Sequence, residues 1–427
     1  MMAGEKSLPV LMPHLPDQRW SCHSCGTCCR TLVGHLFPDE VARIDAQDWL
    51  AELGIAPYLK TVTGAVLNKR PDGACVFLDA ENKCRIHSRF GESTKPIACR
   101  IFPFAVRPVR MGWQVSFRFD CPSAAESKGV PLSQHRPLLD ELTSKLVHDA
   151  TDDDDVANLQ PGGPRATVEE IAAIEQRFLL WLEAPAVALV DRIIGAARVT
   201  AQLEAAKLEK VRGKRLLELL DLLFGAEVSA LRRRPHVPTS GQFGMLRQLC
   251  FAHAEHVSLA ERHGSLWGRI AKRWTQLGSS GRLRRGVGVA PPLPDLGAGA
   301  SFATIESVRP ATADAARIEN LMSRYLVARV LGKSVHGQGY YGWAVTSGLS
   351  ALWLSVAATG WLARYAAASA GCGEVTFGCF AAALGVVDRA ASRVPSLGTG
   401  TERARIKYLH GDDGIARLLG AYYPVAR

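Results

Sequence analysis

Cysteines are the residues in the first third of the chain whose types and spacing could carry out chemistry. Eight of the eleven cysteines precede residue 122, and they are Cys22, Cys25, Cys28, Cys29, Cys75, Cys84, Cys99 and Cys121. The first four form a Cys-x2-Cys-x2-Cys-Cys run. Two intervening residues let the backbone reverse, so that successive thiolates approach the same ion. The run therefore predicts a metal site.

The number of thiols allows more than one kind of metal centre. Eight thiols could fill two four-ligand zinc sites, or one four-thiolate iron–sulfur site with four thiols left over. A 4Fe–4S cluster is the favoured iron–sulfur form, and spacing alone does not decide between zinc and iron. Adjacent side chains of an extended segment point to opposite sides, so Cys28 and Cys29 are not expected to share one small ion.

Basic residues surround these cysteines. Residues 75–118 contain eight Lys or Arg side chains and three acidic ones. A thiolate cluster is negatively charged, and nearby cations stabilise it. Arg85 and Arg100 each directly follow a cysteine, so they are candidates for contacting a cluster or for binding a cofactor carboxylate. His87 is expected behind the ligands, and solvated surface charge is the alternative for any one of these residues.

The motifs taken together resemble a known bacterial family. Besides the first run, the chain has Cys-x-Phe-Leu at 75–78, Cys-x-Ile-His at 84–87 and Lys-Pro-x2-Cys-Arg-x-Phe-Pro-Phe at 95–104. This combination, within residues 20–122, is similar to the cysteine-cluster family described as a zinc- or iron-chelating domain. The family includes longer proteins similar to flagellin lysine N-methylases. The chain resembles that longer form, with weaker support from residues 246–251 and 319–331.

The resemblance implies a function and a partner. It implies metal- or cluster-dependent methyl transfer from S-adenosylmethionine to lysine side chains of a protein substrate such as flagellin. The eight cysteines carry over as ligand candidates, and no methyl-transfer residue carries over. Such transfer needs a neutral amine, which desolvation or neighbouring positive charge favours by lowering the lysine pKa. The alternative is a non-catalytic metal-chelating or redox-sensing protein, which the adjacent cysteines and spare thiols also fit.

The pattern along the chain predicts an α+β protein. We expect a small metal-nucleated cysteine-rich domain at 1–150, an acidic Pro/Gly linker at 151–166, and a mainly helical domain at 167–427 that is interrupted by a flexible Gly/Pro/Arg segment at 278–300. Thr167 and Glu170 form a capping-box signature before helical spacing, and Gly225 is a plausible helix stop. Hairpins are predicted from 74–78 with 83–87, and from 104–109 with 114–119.

One uncharged stretch, residues 340–363, is long enough to span a bilayer. We favour a buried central helix instead, because polar and small residues dilute its hydropathy. The hydroxyl-bearing residues are Thr346, Ser347, Ser350, Ser355 and Thr359.

Composition excludes several classes of protein. Apolar residues make up 47% and charged residues 22%, which is ordinary globular usage and not that of a disordered or fibrous chain. The first twenty residues lack the continuous apolar core of a signal peptide, so we expect a cytoplasmic protein with reduced thiols. The net charge of +10 favours acidic partners. Nucleic acid is not expected, since no aromatic stacking series accompanies the arginines at 232–234 and 282–285.

Three weaker motifs are interpreted as structural. The glycine-rich segment 295–300 follows prolines and not a strand, so we interpret it as a linker and not as a cofactor loop. Cys250, His253 and His256 are expected on a plain helix surface with one buried cysteine. Cys372 and Cys379 have a spacing typical of no standard metal site, and packing is expected for both.

Overall fold

The computed structural model describes residues 8–62, 64–151, 156–230, 235–255 and 266–426. The strands all lie in the first third of the chain. They are β1 Val10–Leu11, β2 Arg19–Trp20, β3 His35–Leu36, β4 Tyr58–Thr61, β5 Gly64–Leu67, β6 Phe104–Val109, β7 Gly112–Phe117 and β8 Val130–Pro131. They form three small sheets with the orders β1-β7-β6, β2-β8 and β3-β5-β4.

Short helices connect the strands, and long helices follow them. The N-terminal helices are α1 Thr27–Thr31, α2 Pro38–Ala46, α3 Leu50–Leu53, α4 Arg85–Phe90, α5 Ile97–Ile101, α6 Pro122–Ala125 and α7 Arg136–Thr143. The later ones are α8 Val168–Leu182, α9 Leu189–Ala205, α10 Lys214–Ala230, α11 Ser240–Ala254, α12 Leu266–Arg285, α13 Phe302–Ser307, α14 Ala315–Leu331, α15 Val345–Ser369, α16 Phe377–Ala390, α17 Gly400–His410 and α18 Gly414–Tyr422. Strands first and helices after them agree with the predicted α+β class.

The second predicted hairpin is confirmed. Strands β6 and β7 pair antiparallel from Phe104 opposite Phe117 to Val109 opposite Gly112. Beyond β7 the chain runs into the helical region, where the ring of Phe119 packs edge-on against Tyr325 of α14, with 5.7 Å between ring centroids. The sheet and the helices therefore share one hydrophobic core.

The first predicted hairpin is wrong. Residues 74–87 make only isolated bridges, Lys69 with Cys75 and Leu78 with Cys84, and helix α4 begins at Arg85. The amide of Arg85 donates to the carbonyl of Phe77. The chain therefore reverses direction here without forming a β-ladder.

A second, smaller hydrophobic cluster lies within residues 36–86. Its buried members are Leu36, Ile44, Trp49, Leu67, Cys75, Val76, Phe77 and Ile86, and Cys29, Cys84 and Cys99 pack against it. The larger cluster contains Cys121 and has Cys28 packed against it. The predicted ligand cysteines are thus distributed over the boundary between two cores.

Helix α15 lies at the centre of the helical region and packs against α9, α11, α16 and α18. By length and composition it could cross a membrane, and 94% of its most apolar window is buried inside the protein. Hydroxyl groups along the helix have partners there: Thr346 Oγ1 donates to Glu204 Oε2 at 2.6 Å, and Ser350 lies 2.7 Å from His410 Nε2. Ser369 Oγ, at the end of the helix, is buried without a partner. Most of the polar side chains can therefore be buried here because they form hydrogen bonds.

Two glycines of α15 allow the backbone of other segments to come close. A Cβ atom at Gly348 would lie 1.5 Å from the carbonyl oxygen of Val335, and one at Gly360 would lie 1.8 Å from that of Tyr422. Neither backbone oxygen can move aside without shifting its whole segment of chain. The two glycines are therefore required by the packing of the helix, in addition to lowering its hydropathy.

Three expectations about irregular segments need correction. Residues 278–285 are the last two turns of α12, and Leu293 and Leu296 are buried, so the predicted flexible segment is largely ordered and packed. In the predicted linker, residues 152–155 lie outside the described part of the chain, while Leu159 is buried in the large core. Helix α10 continues past Gly225 to Ala230, because a glycine in a helix interior costs only about 1 kcal/mol relative to alanine.

We expect Gly360→Ala to lower the free energy of unfolding by about 1–3 kcal/mol, because the new methyl group would meet the Tyr422 carbonyl. Gly225→Ala is the matched control, since nothing lies within 4 Å of its added Cβ. That change should raise stability by about 0.5–1 kcal/mol through helix propensity. Urea unfolding measures both, and equal effects of the two substitutions would contradict the close approach.

Glu170 confirms the predicted capping box. Its carboxylate accepts from the Thr167 amide at 3.0 Å, and it also forms an ion pair with Arg212. The Arg212 hydrogen bonds, followed by backbone donors, lower the pKa of Glu170 to about 2. Because the folded-state pKa is lowered, this group stabilises the fold above about pH 4.5 and loses that contribution as the pH falls towards 2.

We expect Glu170→Gln to lower the free energy of unfolding by up to about 3 kcal/mol at neutral pH, with the difference from wild type shrinking between about pH 4.5 and 2. Denaturant unfolding at a series of pH values measures this dependence. Glu218→Gln is the control, because that exposed carboxylate has only a 3.8 Å pair with Lys214. A difference between wild type and Glu170→Gln that does not vary with pH would count against the ion pair.

Candidate metal centre

The Cys-x2-Cys-x2-Cys-Cys run forms a loop followed by helix α1. Cys22 and Cys25 lie exposed in the loop, and Gly26 turns the chain into the helix in the left-handed conformation, with φ of 72°. Cys28 and Cys29 follow within α1. The segment is helical there and not extended, so the side chains of Cys28 and Cys29 are about 100° apart around the helix and do not point to opposite sides.

The remaining cysteines come from loops and helix starts. The amide of Cys75 donates to the carbonyl of Cys29 at 2.8 Å, which ties the second loop to α1. Cys84 and Cys121 occupy the N-cap positions of α4 and α6, and Cys99 lies within α5. The short helices therefore fix the backbone positions from which these three cysteine side chains project.

All eight predicted cysteines line one cavity, which we call the cysteine cavity. Its volume is about 290 Å³, and aromatic side chains such as Trp20, Phe77 and Phe102 form part of its wall. Cys250, Cys372 and Cys379 are not among its lining residues. The cavity lies where the two hydrophobic clusters meet, so it joins the small core to the large one.

The thiols influence one another's ionisation. A hydrogen bond to Cys29 and burial raise the pKa of Cys28, and burial raises the pKa values of Cys75 and Cys99. Negative charge on Cys28, Cys75 and Cys84 adds to the rise in the pKa of Cys99. These four thiols therefore lie close enough to repel one another when they are ionised.

Two half-buried lysines balance that charge. Lys69 donates from Nζ to the carbonyl of Cys29 at 2.6 Å. Burial lowers the pKa of Lys69, while nearby Cys75 and Cys29 thiolates oppose the change. Burial would also lower the pKa of Lys95, but attraction to cysteine thiolates outweighs it and raises that pKa. Both ammonium groups therefore favour thiolate over thiol in the cavity.

Trp20 leaves a polar atom without a partner at the cavity wall. Its buried indole Nε1 makes no hydrogen bond of normal geometry. Burial raises the pKa of the Cys121 thiol to about 11. The nearby Trp20 indole acts in the opposite direction, because it stabilises the thiolate form. An acceptor such as a ligating sulfur would satisfy this N–H group.

The donors fit a soft or borderline metal in their chemistry. Thiolates are the ligands of zinc and iron–sulfur sites, and eight of them face one cavity with two cations beside them. In the part of the chain that the structure describes, no three Cys, His, Asp or Glu side chains are already arranged to hold one ion. Ligation would therefore need thiol rotation as well as loss of protons.

The two predicted arginines have different positions. Arg100 lines the cavity, and its guanidinium is held by Glu141 at 2.8 and 2.9 Å and by Glu92 at 3.3 Å. Arg85 is not a lining residue, because its guanidinium pairs with Glu52 at 2.6 Å. The structure therefore brings Arg100 to the thiols and does not bring Arg85.

Sequence reasoning missed several residues of the site. Lys69 and Trp20 belong to no motif around the cysteines, and His135 comes from the turn before α7. His87 does line the cavity, as a position behind the ligands requires. No spacing signal could have found Lys69, because five residues of irregular loop separate it from Cys75.

Among the residues that the structure describes, the weaker motifs show no second metal centre. Cys250 is fully buried, with its thiol 3.7 Å from the carbonyl of Ala358, and burial lowers the pKa of His253 to about 3. His256 and the arginines at 232–234 lie outside the described residues. The glycine-rich segment 295–300 follows no described strand, which agrees with its interpretation as a connection.

Comparison with known proteins gives one match. Residues 21–122 match the model of the CxxCxxCC family, whose printed description is "Putative zinc- or iron-chelating domain". The matched segment contains all eight cysteines of the cavity and ends directly after Cys121. Neither the curated proteins nor the solved structures that were searched contain a match to this chain. The comparisons thus support a zinc- or iron-chelating domain and name no relative with methylase activity.

Proposed function

We propose that the protein binds zinc or an iron–sulfur cluster through thiolates of the cysteine cavity. The observation that carries the proposal is that eight cysteines from five separate segments of chain line a single cavity, while the three later cysteines lie elsewhere. Ordinary packing of small apolar side chains gives no reason for such a concentration of sulfur. Metal binding explains the concentration of sulfur, because soft cations are bound by several thiolates around one point.

Four cysteines form the best-supported ligand set. Besides burial, negative charge on Cys28 and Cys84 raises the pKa values of Cys75 and Cys99, and all four side chains line the cavity, so their sulfurs lie in one neighbourhood. A four-thiolate set suits a tetrahedral zinc or a 4Fe–4S cluster. Cys22, Cys25, Cys29 and Cys121 would remain for a second ion, and Cys25 lies near enough to Cys121 to affect its pKa.

The lysines make such a centre less costly to bury. A zinc ion with four thiolates carries two net negative charges, and burying uncompensated charge is expensive. Lys69 and Lys95 supply two positive charges beside the thiols. Nearby cations also raise the reduction potential of an iron–sulfur cluster.

Metal binding would also hold the fold together. Cys75 belongs to the small core and Cys121 to the large one, and the cavity lies between them. A centre with ligands from both sides would cross-link the two cores. The free energy of binding would then contribute directly to folding, as it does in small zinc domains. The eleven free thiols suit a reducing compartment, and we propose the cytoplasm.

Anaerobic purification followed by elemental analysis and an absorption spectrum tests the metal. We expect bound iron with sulfide and a broad visible band, or zinc without colour. Cys99→Ser should lose most of the metal and unfold at a lower temperature, whereas Cys379→Ser should match the wild type because that thiol does not line the cavity. A folded wild-type protein that binds neither metal on reconstitution would refute the proposal.

Methyl transfer to protein lysines is a second candidate. The observation that favours it is the partly apolar cavity with Lys69 and Lys95 beside it: burial there lowers the pKa of Lys69 and would act in the same direction on an entering lysine amine. Arg85 and Arg100 are already paired with carboxylates, which weakens their assignment as binders of the S-adenosylmethionine carboxylate. No residue is assigned to the transfer itself.

Incubation of fully metallated protein with flagellin and S-adenosylmethionine tests this candidate. If the protein is a methylase, intact-mass spectrometry will show methyl-sized additions on flagellin lysines, and Cys99→Ser will abolish them. Absence of any addition, together with no binding of S-adenosylmethionine in calorimetry, would leave the non-catalytic chelating or redox-sensing function as the conclusion.

A further inference from the structure

Helix α12 has one face that is packed and one that is exposed. Ser279 and Leu283 are buried, and the carbonyl of Leu283 accepts from Arg247 Nε of α11 at 2.9 Å. On the other side, the exposed fractions are 80% for Trp267, 72% for Trp274 and 63% for Leu277. Such exposure of two tryptophans on one helix is unusual for a soluble surface.

Helical geometry places the exposed residues together. At 3.6 residues per turn, Trp267 and Trp274 are about two turns apart and lie nearly in line, and Leu277 lies one turn further on. Ser279 and Leu283 fall on the opposite side of the helix. The three exposed apolar side chains therefore form one stripe, which points away from α11, and we call it the tryptophan stripe.

The same helix is strongly basic. The sequence of α12 contains six Lys or Arg residues and no Asp or Glu. Arg282, Arg284 and Arg285 in its last turn are exposed, and the chain just after it exposes Val287 and Val289. Apolar and cationic groups thus lie side by side along one edge of the protein.

We propose that the tryptophan stripe and the adjoining arginines bind the surface of a membrane that contains anionic phospholipid. Tryptophan and leucine insert at the boundary between headgroups and acyl chains, and arginines pair with the lipid phosphates. Nucleic acid suits this surface less well. Its phosphates would match the arginines, but it offers no apolar phase for Leu277, Val287 and Val289.

Vesicle flotation of the full-length metallated protein tests the proposal, with phosphatidylcholine vesicles compared with vesicles that also contain phosphatidylglycerol. We expect binding to the anionic vesicles only, a blue shift of tryptophan emission, and release in about 1 M salt, where screening acts within about 3 Å. Binding to both kinds of vesicle alike, or to neither, would overturn the proposal.

Two sets of variants locate the contact. Arg282→Gln, Arg284→Gln and Arg285→Gln together should weaken binding about 100-fold, because each basic residue near an anionic surface contributes about fivefold. The matched control removes three exposed cations elsewhere, through Lys210→Gln, Lys214→Gln and Arg215→Gln, and should change binding little. Equal losses in the two triple variants would show only a general effect of net charge and would contradict the assigned surface.

The apolar stripe has its own control. Trp267→Ala with Trp274→Ala should abolish flotation, while Leu222→Ala with Val228→Ala, which removes exposed apolar groups of α10, should not. Size-exclusion chromatography runs in parallel. A dimer that the tryptophan variant dissolves would assign the stripe to self-association, and binding of an oligonucleotide without vesicle binding would assign the arginines to nucleic acid. Either result would overturn the proposal, and neither depends on metal binding.

Discussion

The gathering of eight thiols and two ammonium groups around one cavity between two hydrophobic cores is the constraint on which the N-terminal region depends. Protonated thiols are small and weakly polar, so they can line an apolar cavity at little cost. Thiolates cannot, because burial and mutual repulsion disfavour their charge, as the raised pKa values of Cys28 and Cys99 reflect. Lys69 and Lys95 reduce that penalty without removing it. A metal cation that binds several thiolates would supply the remaining stabilisation of their charge. The site therefore suits a metal better than simple packing of thiols.

Hydrogen bonds also connect the wall of the cysteine cavity to the helical region. Cys121 caps helix α6, and carbonyls at the end of that helix accept from Arg324 of α14. Next to Cys121, the amide of Phe119 donates to the buried Asp388 of α16 at 2.8 Å. Burial lowers the pKa of Arg324 to about 10, yet at neutral pH that residue still carries its charge. A rearrangement at Cys121 would therefore be transmitted to helices α14 and α16.

The helical region serves a different purpose from the cysteine cavity. Its centre is a long apolar helix that other helices surround, and its tight packing depends on Gly348 and Gly360. A core of this kind is rigid, so the surface elements that it supports hold their orientation. Helix α12 packs on that core through one face and leaves its tryptophans and arginines outside. The proposed metal centre and the proposed membrane-binding surface thus lie in separate parts of one chain.

The sequence by itself determined the local features of this protein. The cysteine spacing, the capping box at Thr167, the hairpin of β6 and β7 and the burial of α15 all depend on near neighbours or on periodicity, and all can be read without a structure. Only the tertiary structure decided which cations and aromatic groups meet the thiols. Lys69 and Trp20 reach the cavity, and Arg85 turns to Glu52 instead, because irregular loops set those paths through contacts between distant residues. Side-chain directions in such loops carry no sequence period, so no pattern could have predicted them.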